Sequence, residues 1–274
     1  EALLSAIEML AFKKEYGEGL PEKDAKSFLE TYAEDYFRMD QEYRKFCLAF
    51  DRAVDKDVLK ELSKEVEKLY TNWFLGDLSV KWSQAVAGEL AKSWPISGIA
   101  QQKDFFRDVI RKALADNKKA FVIISDGLRY EAGRELKERL NTELKGSTDI
   151  TWMQGSIPSY TKLGMAALLP HRQISLQGEE IYLDGVSTKD TSGRKKVLES
   201  QVAESNVILL KDLILMGRNE LRAVFRGKSV VYIYHDVIDS TGDKGDETKI
   251  FRAVETAFEE ILAAIRNINK HLTE

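Results

Sequence analysis

The sequence predicts an α/β protein in which a mostly parallel sheet carries helices on both faces and is preceded by an all-helical region. Three observations support this: a change of texture near residue 117, apolar strand-like runs that alternate with helical stretches after it, and a long closing amphipathic helix. The boundaries that follow are a helical lead-in over residues 1–117 and an α/β core over residues 118–274.

In the lead-in, Leu59, Leu62, Val66 and Leu69 recur at three- and four-residue steps, and Tyr70, Trp73, Phe74 and Leu78 continue the apolar stripe. Such a stripe is the core face of helices rather than a cofactor box. Turn residues at 17–21 and 94–98 separate the helices. After Asn117, the runs at 121–124, 149–153, 207–210 and 229–234 read as strands, the first of them buried on both faces. Residues 129–141 repeat Ala132, Leu136 and Leu140 on one helix face. Residues 248–272 place Ile250, Val254, Phe258, Ile261, Ile265, Ile268 and Leu272 on a stripe that docks on the sheet. Strands alternating with helices imply right-handed crossovers and parallel pairing.

With 274 residues and 43% hydrophobic content, the chain is long enough for a proper core. Its one cysteine, Cys47, excludes an internal disulfide framework and any multi-cysteine zinc site, which suits a reducing cytoplasm. No apolar run approaches the roughly 18 residues of a membrane span, and the first residues lack the basic start of a secretory signal. A net charge of −4 provides no general field for nucleic acid. Local basic stretches exist at Lys118 and Lys119 and at Arg194, Lys195 and Lys196. The latter follow a loop-like VSTKDTSG segment and are either a phosphodiester clamp or a solvated basic surface.

Three segments carry candidate chemistry. In FVIISDGLRYE, Asp126 stands at the carboxyl end of a strand, just before a helix, where a carboxylate is either an N-terminal cap or a metal ligand or catalytic acid. In SVVYIYHDVIDSTGDKGDE, a second strand runs into His235, Asp236, Asp239, Asp243, Asp246 and Glu247. Five carboxylates and an imidazole within thirteen residues repel one another unless solvated or neutralised, which reads as an acidic capping loop or as oxygen coordination of a hard cation with a histidine nearby. Between these two, GSIPSYTKLGMAALLPH sets Ser159 or Thr161 just before a short apolar helix. A hydroxyl there is either a cap or a nucleophile facing free N–H groups.

The series VIISDGLRYE, PSYTKLGMAALLPH, LDGVSTKDTSGR and YIYHDVIDSTGDK, in this order, resembles the PglZ family of the alkaline phosphatase superfamily, the phosphatase-like component of Pgl and BREX phage-defence systems. The resemblance covers residues 119–272, and DQEYRKF and LYTNWFLGDLSVKW in the lead-in are similar to the helical region preceding such cores. It implies an alkaline-phosphatase-like fold and a metal-dependent phosphohydrolase, a phosphodiesterase or phosphatase that acts on nucleic acid or another phosphoester. By residue, it implies Asp126 as a metal ligand, Thr161 as the nucleophile with Ser156 and Ser159 as alternatives, and Asp239 and Asp243 as further ligands; the residue pattern adds His235 as a fourth candidate metal ligand. Asp243 stands where many relatives have histidine, which favours manganese or magnesium over zinc.

The superfamily's later Asp-His-Gly element has no counterpart before Glu274, so the core is expected to be incomplete at its C-terminus and the chain to be a segment of a longer protein that binds metal weakly or not at all by itself. Expected partners are other proteins of the defence complex, and DNA if the substrate is a nucleic-acid backbone. The competing function is a non-catalytic scaffold for those proteins.

Overall fold

Helix formation begins at Ala2, and α1 (Ala2–Tyr16) stops where Gly17 turns to φ 61, a left-handed backbone that glycine adopts at no steric cost. The computed structural model describes residues 1–90, 95–242 and 247–272. Asp24 caps α2 (Ala25–Thr31) by accepting the Ser27 N–H at 3.0 Å. Tyr32–Tyr36 forms a π-helical turn into α3 (Phe37–Arg52), and Leu69–Leu75 forms another between α4 (Lys60–Lys68) and α5 (Gly76–Leu90). The aromatic stripe is core: Val66, Leu69, Tyr70 and Phe74 are buried with Met9, Phe12, Tyr36 and Phe46. Cys47 is half-buried against the same cluster.

Beyond α6 (Arg111–Ala115), the chain alternates. β1 (Ala120–Ser125), α7 (Tyr130–Glu143) and α8 (Thr161–Ala167) are followed by three short strands, β2 (Ile174–Gln177), β3 (Glu180–Leu183) and β4 (Val186–Ser187). Then come α9 (Thr191–Gln201), β5 (Ser205–Leu209), α10 (Leu210–Leu215), α11 (Arg218–Phe225), β6 (Val230–His235), α12 (Val237–Gly242) and α13 (Glu247–Leu272).

The main sheet has the order β1-β6-β5 and is parallel throughout, with Ala120 and Ser205 both in register with Val230. Central β6 is buried at every residue, which explains its unbroken apolar run. On one face, Val230, Tyr232 and Tyr234 pack with Ala166 of α8 and Val197 and Leu198 of α9. On the other, Val231 and Ile233 pack with Leu210, Leu221, Phe225 and with Ala264 and Ile268 of α13. Helices therefore cover both faces, as the sequence predicts, and the Tyr232 hydroxyl donates to Leu168 O at 2.8 Å to tie β6 to the end of α8.

Two expectations change. Residues 149–153 form no strand; their only ladder contact among the described residues is the isolated parallel bridge of neighbouring Gln154 to Gln101. The segment read as a VSTKDTSG loop is instead β4 and the capped start of α9, part of an antiparallel β2-β3-β4 sheet that the sequence reading missed.

Contacts gather the chain into two units, Glu1–Ile99 with Leu128–Ile150 and Thr241–Val254, and Ala100–Gly127 with Thr151–Ser240 and Glu255–Glu274. In the first, Arg44 is 2% exposed and pairs with Glu131 at 2.9 Å and Glu135 at 2.5 Å, which pins α7 to α3. The second holds the parallel sheet. Among the described residues, no helix is long and apolar enough to cross a membrane.

Candidate active site

The carboxyl edge of the parallel sheet sets the site. The Asp126 N–H donates to His235 O at 2.8 Å and prolongs the β1-β6 ladder by one residue. Gly127 then turns the chain at φ 76, and a Cβ there would lie 3.1 Å from Ile238 Cγ2 and 3.4 Å from the Asp239 backbone nitrogen. The Asp-Gly pair is thus a fit between a left-handed turn and the first turn of α12, and it brings Asp126 beside Asp239. Burial and then the charges of Asp239 and Asp236 push the Asp126 carboxyl upward, against the Gly127 N–H and the Arg194 cation. Asp126 is not a cap, since α7 starts from Arg129 without a side-chain cap bond.

Facing Asp126 is the 155–164 segment. Gln154 bonds to both sides of Gln101, accepting the Gln102 N–H at 2.8 Å and donating its own N–H to Ala100 O at 2.7 Å, and Gln102 Oε1 accepts the Ser156 N–H at 3.3 Å. Gln102 therefore braces the loop that carries the candidate hydroxyls. Nothing in its sequence context marked it. The Ile157–Pro158 peptide is cis, Tyr160 is the N-cap of α8 without a side-chain bond, and Thr161 is the first helical residue. Thr161 and Ser159 are exposed and Ser156 is half-buried. A cavity of about 520 Å³ has Asp126, Ser125, Ser156, Ser159 and Thr161 in its wall over an apolar floor of Ile124, Met165 and Leu168.

The other candidates lie differently. Asp239 approaches Asp126 from α12 rather than from the cavity wall. His235 is 3% exposed, with Nδ1 2.9 Å from Ser125 Oγ and Nε2 2.9 Å from Glu260 Oε2, so both ring nitrogens are engaged inside the protein. A metal at either nitrogen has to displace one of these partners. Asp243 lies outside the described residues. His171 turns its Nδ1 to Leu169 O at 2.7 Å.

The Asp239 charge raises the Asp126 carboxyl, and these two carboxylates are the ones here that could supply oxygen ligands to a divalent cation. Among the described residues, no three His, Cys, Asp or Glu side chains gather closely enough to hold one.

Residues 105–274 match the model of the BREX system PglZ alkaline phosphatase-like domain. The chain is 41% identical over 267 residues to the alkaline phosphatase-like protein PglZ of Bacillus cereus (strain H3081.97), covering 97% of this chain and 31% of that protein. It is 36% identical over 281 residues to the alkaline phosphatase-like protein BrxZ of Escherichia coli O9:H4 (strain HS), covering 99% of this chain and 32% of that protein. The chain thus spans about a third of the length of these curated relatives. The match of the family model over residues 105–274, more than half of the chain and all of its α/β part, places the chain in the PglZ family.

Proposed function

We propose that the full-length protein is a metal-dependent phosphoric ester hydrolase, a phosphodiesterase or phosphatase of a phage-defence system, working in the cytoplasm with other proteins of the defence complex and acting on nucleic acid among its possible phosphoesters. The observation that carries this reading is the shared cavity wall of Asp126 and the three candidate nucleophiles, Ser156, Ser159 and Thr161. Asp126 and Asp239, with Asp243, are the residues that would hold zinc, manganese or magnesium. When bound, the cation lowers the pKa of the attacking hydroxyl and offsets charge on the phosphoryl oxygens.

This chain's own groups do the rest. Thr161 is exposed to the cavity, and α8 has no side-chain cap bond, so its hydroxyl is available for attack. Thr161 Oγ1 gives up its proton to solvent and bonds to phosphorus as the P–O ester bond breaks and the departing oxygen takes a proton from solvent; water then attacks phosphorus, breaking the Oγ1–P bond and restoring the threonine hydroxyl. The apolar floor excludes water beneath the reacting group. Gln102 keeps the loop in place through the Ser156 N–H.

The test is hydrolysis of bis(para-nitrophenyl) phosphate and para-nitrophenyl phosphate by the full-length protein with each metal. Thr161→Ala should abolish turnover and change stability by no more than about 0.5 kcal/mol, because an exposed side chain without a capping bond contributes little. Full activity in that variant moves the role to Ser156 or Ser159. A second reading, a scaffold that binds partner proteins, draws support from the exposed apolar stripe Leu3, Leu4, Ile7 and Leu10 on α1, and it gains if no hydroxyl matters.

A further inference from the structure

We propose that the ligand of this cavity is a single strand of nucleic acid, with a base stacked on Tyr160 at the mouth and its backbone laid along the cations of residues 103–112. The inference rests on the phosphoester reading above and narrows its substrate class. The basic stretches that stand out in the sequence are partly occupied by their own neighbours: Lys118 pairs with Asp116 at 3.1 Å, and Lys195 sits 3.8 Å from Glu199.

The mouth carries an uncovered aromatic face. Tyr160 is 37% exposed and lines the cavity one residue before Thr161, and Ile157, in the same loop, is 57% exposed. Among the described residues the Tyr160 ring pairs with no other ring and its hydroxyl makes no hydrogen bond. Gln102 supports this platform from behind: its Oε1 accepts the Ser156 N–H at 3.3 Å, and its Nε2 lies 3.4 Å from where a Cβ on Gly164 would stand, so one side chain fills the gap between the loop and the first turn of α8. An aromatic face open to water beside a polar site suits a base, since every base has a π-face to stack. A base inside a duplex has both faces covered, so the strand must be unpaired.

From Gln102 the chain leads away from the cavity. It passes through a tight turn (Gln102–Asp104), a π-helical turn (Phe106–Ile110) and α6, and delivers Ala120 to the opposite edge of the sheet, from which β1 returns to Asp126. A π turn is wider than an α turn, so residues four apart stay in line. Phe106 and Ile110 accordingly face the core, and Lys103, Arg107 and Arg111 face solvent. Arg107 is occupied by Asp104 at 3.0 Å and Asp108 at 2.9 Å. Lys103, Arg111 and Lys112, with exposed Lys162 next to Thr161, join no ion pair among the described residues. At the rise of a helix, Lys103 and Lys112 are roughly 13 Å apart. That is too long a track for one phosphoester and suits a polymer with a charge on every unit.

The test is fluorescence anisotropy of the full-length protein, in EDTA buffer, with a labelled oligothymidylate of about 12 nucleotides, a length within the site sizes usual for single-strand grooves. Tyr160→Ala should weaken binding about 5- to 150-fold, the range for losing one stacked base, and Tyr160→Phe should bind as the parent does. Tyr160→Ala should leave binding of the same strand annealed to its complement unchanged. Replacing Lys103, Arg111 and Lys112 together by glutamine should weaken binding and make the plot of log affinity against log salt shallower by about 2, since each cation on a single strand contributes about 0.7. The proposal is overturned if the parent does not bind the oligonucleotide, if Tyr160→Ala or the triple variant matches the parent, if Tyr160→Phe loses as much as Tyr160→Ala, or if Tyr160→Ala weakens the duplex equally. Turnover of the nitrophenyl esters, measured alongside, judges the hydrolase reading separately: turnover in a parent that binds no oligonucleotide sinks this inference and keeps that one, and strand binding lost in the variants with no turnover in the parent does the reverse.

Discussion

Replacing Gly127 by alanine isolates the fit on which the arrangement of Asp126 and Asp239 depends. The variant has two costs that can be measured apart. The first is the left-handed backbone at φ 76, about 1–2 kcal/mol for a residue with a Cβ. The second is the new methyl, which meets Ile238 Cγ2 at 3.1 Å and the Asp239 nitrogen at 3.4 Å and adds about 1–3 kcal/mol of overpacking. Gly178 is the internal control, because it has φ 61 and nothing within 4 Å of its would-be Cβ. Gly178→Ala should therefore show the backbone cost alone, about 1–2 kcal/mol, and Gly127→Ala about 2–5 kcal/mol. Urea unfolding, with hydrogen exchange of the β1 and β6 amides as a local readout, gives both numbers. Equal losses in the two variants would refute the close fit between the Asp126 turn and α12, and with it the premise that this turn fixes the two carboxylates side by side.

Arg44→Met should destabilise the first unit by about 3–5 kcal/mol, because it leaves Glu131, 2% exposed at its side chain, without its cation. Burial pushes the Glu131 carboxyl upward against the pull of Arg44, and removing Arg44 raises it further. A carboxyl raised on folding costs stability above its unfolded pKa, so the deficit in urea melts should shrink as pH falls from neutral toward the range where Glu131 protonates; a pH-independent deficit contradicts this. Asp126→Asn should stabilise the metal-free protein at neutral pH, since burial and then Asp239 and Asp236 raise this carboxyl too, while abolishing any upward shift in melting temperature with manganese. A variant less stable than the parent without metal, or still stabilised by manganese, goes against that account.

Long uninterrupted signals were legible in the sequence. The run at 229–234 is β6, where a strand buried at every residue has no room for polar alternation, whereas the run at 121–124 is β1 but, at the end of the β1-β6-β5 order, is only half-buried rather than buried on both faces. The 149–153 run carries the same apolar letters, yet only Gln154 beside it finds a partner strand, and composition cannot report a missing neighbour. The β2-β3-β4 hairpins escaped notice because their strands are two to four residues long, although Asp184 and Gly185, both at positive φ, are a hairpin turn pair that marks the second of them.

At the site, the motif segments were readable, and their partners were not. His235 was grouped with the acidic residues that follow it, but its bonds go to Ser125 and Glu260, 110 and 25 residues away. Gln102 acts through a loop more than fifty residues distant, which no local spacing reveals.

The central place of β6 also sets an order of assembly. Its partners in the ladder lie 25 residues back on β5 and 110 residues back on β1. Closing the longer loop costs about 1.3 kcal/mol more entropy than closing the shorter one. β5 and β6 can therefore pair early, with α10 and α11 between them forming as local structure, while β1 docks onto a strand that is already half-covered. Because Asp126 follows directly from β1, the edge that carries the candidate site is the part of this sheet completed last. Damage to the β1-β6 seam should then quicken unfolding more than it slows folding.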